Sequence, residues 1–479
     1  MPLLGRSNLV RGKGCAHDSI QGLTFSTSLF CLGAGADKRK GSVMTDRTER
    51  PPSAFRLNLE QQKNRAKDLL RAAKAGDADA LSRLAAMRSD PAHSAFDALQ
   101  ATAKLANAQF VIARELRFAS WALLKGHIAS MERQRAAIDG KSAAPDGDLK
   151  TLHIRCGHDI QQPLVEAGFV GDFLVDAYPY GTMPLTIGPD RLELLARALI
   201  TPSGKSLHGH GYEEALDELR RLERQLHASA DDYERVVIWM EHDSYDQLVL
   251  ARLLAHYATA KRPATFELIA VDEFPGSQRF IGIGQLPPEA LRLLWPRRKP
   301  VTQAQLALGT EAWTALSSEN PMPLAALVRS GTAALPMMAP ALHRHLRELP
   351  SVENGLRLSE QLILRILCER GPVRRNPLFG LLLERDPLPY NGDLRFFDLI
   401  DYMLAGSAPL LTVVRTPVNE NQFRIDVAIT ELGRAVLSGE RDWLSLRPPA
   451  RWVGGVHIQP GVPGWRWDEA RRDAVLRES

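Results

Sequence analysis

The sequence predicts an α/β protein: a parallel, Rossmann-like sheet domain flanked by an N-terminal helical module and a C-terminal winged-helix-like domain. Three observations carry this. Strand-like apolar runs alternate with helical patterns over residues 151–273, and such alternation builds a parallel sheet with helices on both faces. Residues 55–138 show only the helical spacing of apolar side chains. Residues 355–447 run as three helices, a β-hairpin and a final helix. The chain has 479 residues, room for about two to four domains.

Residues 1–43 have no helical or strand periodicity and hold the entire net charge of +4. Three readings fit them. They make a secretory signal, with an apolar stretch around Leu23–Leu32 and a small-residue site at Ala34-Gly35-Ala36. They make an unstructured tail. Or they are translated upstream sequence, with the native N-terminus at Met44 or Thr45. The last is the expectation, because Thr24, Ser26, Thr27 and Ser28 weaken the apolar stretch.

The helical module spans 55–138. Ala66, Leu69, Leu70 and Ala73 share one face, and Lys63, Lys67, Arg71 and Lys74 form a stripe on another. Gly76 ends this helix, and Asp77 or Asp79 caps the next. A longer helix covers 96–116, and Phe118, Trp121, Leu124 and Ile128 continue the spacing. Residues 44–141 carry 17 basic and 11 acidic side chains. A basic stripe contacts phosphates in some proteins, but a solvated face is the ordinary reading. Residues 139–149 are small, polar and rich in Gly and Pro, as a linker is.

In the α/β domain, 150–275, strands are expected at Leu152–Cys156, Phe173–Ala177, Val236–Met240 and Phe266–Val271. Helices fall at Ile160–Ala167, Arg191–Ile200, Glu213–His227 and Tyr245–Tyr257. A helical connector follows over 276–350, and Trp295–Pro300 reads as a solvated basic linker within it. The winged-helix-like domain covers 351–447. The tail, 448–479, places Trp452, Trp465 and Trp467 around glycines and a proline, which suits a hairpin packed on the body.

Several segments together point to a family. They are Leu152-His153-Ile154-Arg155-Cys156-Gly157, the run Val236–Asp243 with Asp246-Gln247-Leu248, Gly282-Ile283-Gly284-Gln285-Leu286, and Arg451–His457. This set resembles the bacterial family known as domain of unknown function 1835, over about residues 150–479. Lys67–Asp77 and Glu115–Trp121 resemble the helical leaders found beside bacterial ankyrin repeats, yet no repeat of the roughly 33-residue ankyrin period recurs. The resemblance implies no established activity.

Chemistry must therefore come from the residues. Ligands of open parallel sheets bind beyond the carboxyl ends of the strands. There the sequence places Gly157, His158 and Asp159 after the first strand and Asp176 after the second. Glu241, His242, Asp243, Asp246 and Gln247 follow the third, and Asp272 and Glu273 the fourth. Imidazoles and carboxylates converging on one crevice suit a divalent metal or acid–base work. Glu241, His242 and Asp243 are the candidate catalytic groups. Gly157, His158, Asp159, Asp176, Asp246 and Gln247 are the candidate ligand-binding groups. The structural alternative is that Asp159 and Asp243 only cap helices.

Other motifs fail. Ser203-Gly204-Lys205-Ser206 lacks the upstream glycine of a phosphate loop, since position 199 is Leu. Gly282-Ile283-Gly284 has Pro287 where a third glycine belongs. His208 and His210 have no evident third metal ligand. Cys156 ends a buried strand and reads as core. Nucleic acid is not the expected partner, because residues 355–447 balance 12 basic against 12 acidic side chains and helix 393–404 is net acidic.

The expectation is a cytoplasmic protein, with Cys156 and Cys368 kept reduced. It binds a small polar or phosphate-containing ligand at the crevice, with a divalent metal. If it is an enzyme, metal-assisted hydrolysis fits best. The alternative is a non-enzymatic adaptor, with helical and winged-helix surfaces for protein partners. Residues 142–479 carry six more acidic than basic side chains, so the basic helical module is expected to dock on them.

Overall fold

The computed structural model describes residues 53–86, 96–185, 188, 190–200, 211–277, 279–419 and 422–477. The expectations for residues 1–43 and Met44, and those for Ser203–Ser206, His208 and His210, lie outside the described residues.

The N-terminal helices are α1 (Leu59–Lys74), α2 (Ala78–Ala85), α3 (Phe96–Thr102), α4 (Leu105–Glu115) and α5 (Trp121–Asp139). Asn58 caps α1 and Asp77 caps α2, each side chain accepting from a backbone N–H three residues on. Gly76 adopts φ 83° and closes α1, a conformation that glycine takes without steric cost. Ala66, Leu69, Ala73, Leu81, Val111, Ile112, Leu124 and Ile128 form their common core.

The single long helix expected from residue 96 onward is three. The Asn107 side chain accepts from the Lys104 N–H at 3.0 Å and starts α4 afresh. Arg117 turns left-handed at φ 64°. The Ser120 side chain then caps α5 through the Leu123 N–H. Apolar spacing survives these breaks because all three pieces pack on one core.

The central sheet contains β1 (Thr151–Arg155), β2 (Asp172–Val175), β3 (Arg235–Glu241), β4 (Thr265–Val271) and β5 (Lys299–Pro300). Its order is β2-β1-β3-β4-β5. The first four strands are parallel, and β5 runs antiparallel to β4. Between them lie α6 (Gln161–Glu166), α7 (Arg191–Leu199), α8 (Tyr212–Asp232), α9 (Ser244–Thr259) and α10 (Pro288–Leu294).

Strand side chains alternate between two cores. Ile154, Val236, Ile238, Met240 and Leu268 face one, with α7, α8 and α9. Val237, Trp239, Ile269 and Val271 face the other, with α10 and Met131 of α5. All seven residues of β3 are buried, as a central strand covered on both faces requires.

Two linker expectations change. Asp146, in the polar stretch 139–149, is fully buried and accepts from the Val170 and Gly171 N–H groups and the His153 ring. Trp295, expected in a solvated connector, is buried against Phe169 and Trp239, with Arg298 over its ring at 4.2 Å. The adjoining Lys299-Pro300 pairs with β4 as an edge strand, where proline is tolerated.

Helices α11 (Gln303–Leu316), α12 (Met322–Ser330) and α13 (Met338–Leu346) extend the first core. Gly309 lets α11 lie close to α9, because a Cβ there would meet Leu254 Cδ1 at 3.0 Å. The next group is α14 (Leu358–Arg370), α15 (Arg375–Arg385), α16 (Asp393–Leu404), β6 (Leu411–Asn419), β7 (Gln422–Ile429) and α17 (Glu431–Leu437). Leu367, Leu378, Phe396, Ile400, Leu411 and Val427 give it a core of its own.

The tail forms two hairpins rather than one: β8 (Arg451–Val453) with β9 (Val456–Ile458), and β10 (Gly464–Asp468) with β11 (Asp473–Arg477). Trp467 is buried in the first core, whereas Trp452 is partly exposed and stacks on His457.

The helical module does dock on the rest. Arg56 and Arg135 both reach the buried Glu289 carboxylate, at 2.8 Å each. Among the described residues, no helix is long and apolar enough to cross a membrane.

Candidate functional site

The strand order reverses direction between β1 and β3. One neighbour of β1 follows it in the chain by a short connection, and the other by a long one. Ligands of open α/β sheets bind at such switch points, beyond the carboxyl ends. Arg155 ends β1 there, and Glu241 ends β3.

Arg155 is 1% exposed. A buried guanidinium without partners costs several kcal/mol, and here it is surrounded by acids. Its Nε and Nη2 donate to Asp159 Oδ1 and Oδ2 at 3.0 and 2.9 Å. Its Nη2 lies 3.3 Å from Glu241 Oε2. Its Nη1 donates to Asp246 Oδ1. These carboxylates hold the guanidinium well above its ordinary pKa, against the opposing effect of burial.

Asp246 is the hub of the far side. It accepts from the Glu241 N–H at 2.8 Å, and from the Cys156 thiol at 2.8 Å on its other oxygen. Burial is the main cause that pushes the Cys156 thiol well up. Gln247 Nε2 donates to the Glu241 carbonyl at 2.6 Å and so holds the strand end in place. Asp243 accepts from the Asp246 N–H at 2.8 Å and caps α9.

Thus Asp243 has the capping role that the sequence allowed, and Asp159 does not. Asp159 is bound to Arg155, and the N-cap of α6 is Ile160, which offers no side-chain cap. The Asp243-x-x-Asp246 pattern is only half a capping box, because the Asp246 carboxylate turns to Arg155 and Cys156.

Charge is unbalanced at this centre. One guanidinium faces Asp159, Glu241 and Asp246, with Asp243 next to them. Burial, together with the neighbouring acids, pushes the carboxyl groups of Glu241 and Asp243 well above the usual carboxylate range, although Arg155 opposes it. One oxygen each from Glu241, Asp243 and Asp246 lie within 4.8 Å of one another. Such an all-oxygen set suits a hard cation such as Mg²⁺, Mn²⁺ or Ca²⁺.

The segment after β4 covers the centre. Ile283 N–H donates to Glu241 Oε2. A Cβ on Gly282 would stand 2.6 Å from Glu241 Oε2, and one on Gly284 would stand 2.7 Å from Asp159 Oδ2. These glycines serve close approach to carboxylates and belong to no dinucleotide fingerprint.

The other candidates lie around or away from this centre. His242 is partly buried, its ring 6.0 Å from that of Phe280, and its Nδ1 is buried without a hydrogen-bond partner among the described residues. Burial lowers its pKa, against the opposing effect of Asp246 and Asp272. Gly157 lies in the turn after β1, where an added Cβ would meet Asp159 Oδ1 only at 3.7 Å. His158 shares its Nδ1 with the Gln161 side chain at 2.7 Å. Asp272 is exposed.

Asp176 does not join the set. It accepts from the Tyr180 hydroxyl at 2.7 Å and pairs with Arg252 of α9 at 2.9 Å, in a separate buried network. A cavity of about 300 Å³ opens elsewhere, between the α4–α5 turn and the segment after β4, beside Arg117, Phe118, His127, Glu273 and Arg297.

Sequence reasoning missed Arg155. The available signal was a cation inside an otherwise apolar strand run, which demands buried acids nearby. No family model matches the chain, and no curated protein matches it.

Proposed function

We propose that this protein binds a divalent cation, and through it a small polar or phosphate-containing ligand, at the switch point between β1 and β3. The observation that carries the reading is the excess of carboxylates over the single guanidinium of Arg155. Arg155 is saturated by acids, so an anionic ligand would be recruited by the cation rather than by the arginine. Glu241, Asp243 and Asp246 would hold the metal. His242, partly buried beside Asp243, would contact the ligand, as would Gly157 and His158. If a reaction follows, metal-assisted hydrolysis fits these groups, with Glu241 or His242 moving the proton.

Finer parts of the fold belong to the same proposal. The strand order supports a Rossmann-like domain. Three helices followed by the β6–β7 hairpin and α17 support a winged-helix-like domain. Kinship with the domain of unknown function 1835 family is supported by three of its resembling segments, 152–157, 236–248 and 282–286, which meet at Arg155. A cytoplasmic location is supported by the free thiols of Cys156 and Cys368.

The test is a thermal shift and calorimetric titration with Mg²⁺ and Mn²⁺, then with ATP added. Wild type should be stabilised, and Glu241→Gln and His242→Ala should respond less. No response in wild type, or equal responses in all three, would defeat the reading.

The adaptor reading keeps one specific observation. Val413, Phe423 and Ile425 on the β6–β7 hairpin are each about half exposed, at 44, 57 and 54%. An apolar face of this kind marks contact surfaces in soluble proteins. Winged-helix docking on a protein partner would cover it. Native mass spectrometry that finds a stable partner, with no cation response, would favour this second reading.

A further inference from the structure

A second cluster of metal-binding side chains lies between α8 and α9. Glu223 and His227 stand four residues apart on α8, so they share one face of the helix. His256 comes from the last turn of α9. The two imidazole rings lie 4.7 Å apart at an angle of 69°. One donor atom from each of the three residues lies within 4.8 Å of the others.

Ring packing and a salt bridge alone would account for such neighbours, but two details exceed that account. His256 Nε2 is buried and has no hydrogen-bond partner among the described residues. The second detail is at Glu223: among the described residues, Arg191 and Arg252 both hydrogen-bond to its Oε1 and no bond engages Oε2.

We propose that Glu223, His227 and His256 form a site for a borderline divalent cation of the zinc, cobalt or nickel class, clamping α8 to α9. Two imidazoles and one carboxylate are the donors such ions take, with water as the fourth ligand. Tetrahedral binding at about 2.0–2.1 Å places donors roughly 3.3 Å apart, so small rotations of His227 would close the present spread. His227 is exposed and free to turn, and the site is open to solvent on its side. The donor chemistry separates it from the all-oxygen set at the switch point, which favours hard cations.

The experiment is a Co²⁺ titration of the full chain, read by visible d–d absorption. It compares wild type with His227→Ala, His256→Ala and Asp243→Asn. One Co²⁺ per chain is expected, with a band that Zn²⁺ bleaches. His227→Ala should weaken binding by at least about 100-fold, the upper end of what losing a supporting partner costs. Asp243→Asn, which alters the switch point while keeping a capping side chain, should leave the band unchanged. Circular dichroism of each variant separates loss of the site from loss of the fold, and the exposed His227 makes its variant the decisive one. Absence of the band in wild type, its persistence in a folded His227→Ala, or its loss in Asp243→Asn would overturn the proposal.

Discussion

Arg155 and Asp159 form a two-point ion pair across the turn that leaves β1, with Nε–Oδ1 at 3.0 Å and Nη2–Oδ2 at 2.9 Å. Such parallel bonds fix the plane of the guanidinium. With the plane fixed, the remaining face of Arg155 reaches Glu241 at the end of β3 and Asp246 in the first turn of α9. One side chain thus ties two strand ends and a helix start together.

The first prediction follows from that arrangement. Arg155→Met should destabilise the protein by about 3–5 kcal/mol, because it strands buried carboxylates without a partner. Arg155→Lys should recover little, since an ammonium cannot reproduce the paired bonds. Chemical denaturation at neutral pH measures both. A Met variant within about 1 kcal/mol of wild type would show that the acids find other solutions.

The strands were legible because burial on both faces makes them continuous apolar runs, as in Val236–Met240. The cap at Asp243 was legible because its partner is three residues away. The ion centre was not, because its logic is non-local: Arg155 meets Asp246 across 91 residues, and no spacing rule encodes that. Asp146 and Trp295 misled for a related reason. Small polar and Pro-bracketed stretches look solvated until a distant surface covers them. Asp176, at a strand end like the others, was claimed by Arg252 instead.

A second prediction concerns the covering segment. Gly282→Ala and Gly284→Ala should each cost about 1–3 kcal/mol, the usual range for overpacking, because each Cβ would press on a buried carboxylate. Gly282 has φ −177°, a conformation open to any residue, so the penalty comes from space alone. Gly380→Ala in α15, with nothing within 4 Å of the added carbon, should instead stabilise by about 0.4–1 kcal/mol. Thermal unfolding of the three variants tests the contrast, which fails if all three shift the midpoint alike.

A third prediction is acid sensitivity from His345. The ring is 1% exposed. Its Nδ1 lies 2.8 Å from the Tyr390 hydroxyl, which itself donates to the Gly181 carbonyl at 3.1 Å. Burial pushes its pKa from 6.5 to about 4. Above pH 6.5 the ring is neutral in both folded and unfolded chains. Between 6.5 and 4 the unfolded chain takes up the proton first, so stability falls as pH falls. The loss over that window is about 3 kcal/mol at roughly 1.4 kcal/mol per unit. His345→Gln should flatten this part of the stability–pH curve relative to wild type. Parallel curves for the two proteins would refute it.

The last prediction separates surface from core on the β6–β7 hairpin. Directly paired residues share a face, and the register pairs Arg415 with Ile425 and Val413 with Val427. Val427 is buried in the local core, while Ile425, two residues on along the same face, is 54% exposed. The apolar face therefore runs continuously from the core out into solvent. Ile425→Thr and Phe423→Thr keep strand propensity, so each should change stability by less than about 0.5 kcal/mol. Val427→Ala, at the buried end, should cost on the order of 1–3 kcal/mol through lost packing. If the outer end docks a partner, the two outer variants should release it with the fold intact. Their unfolding midpoints and their migration on size exclusion distinguish the roles. A large stability loss in Ile425→Thr would place that side chain in the protein's own core and remove the docking face.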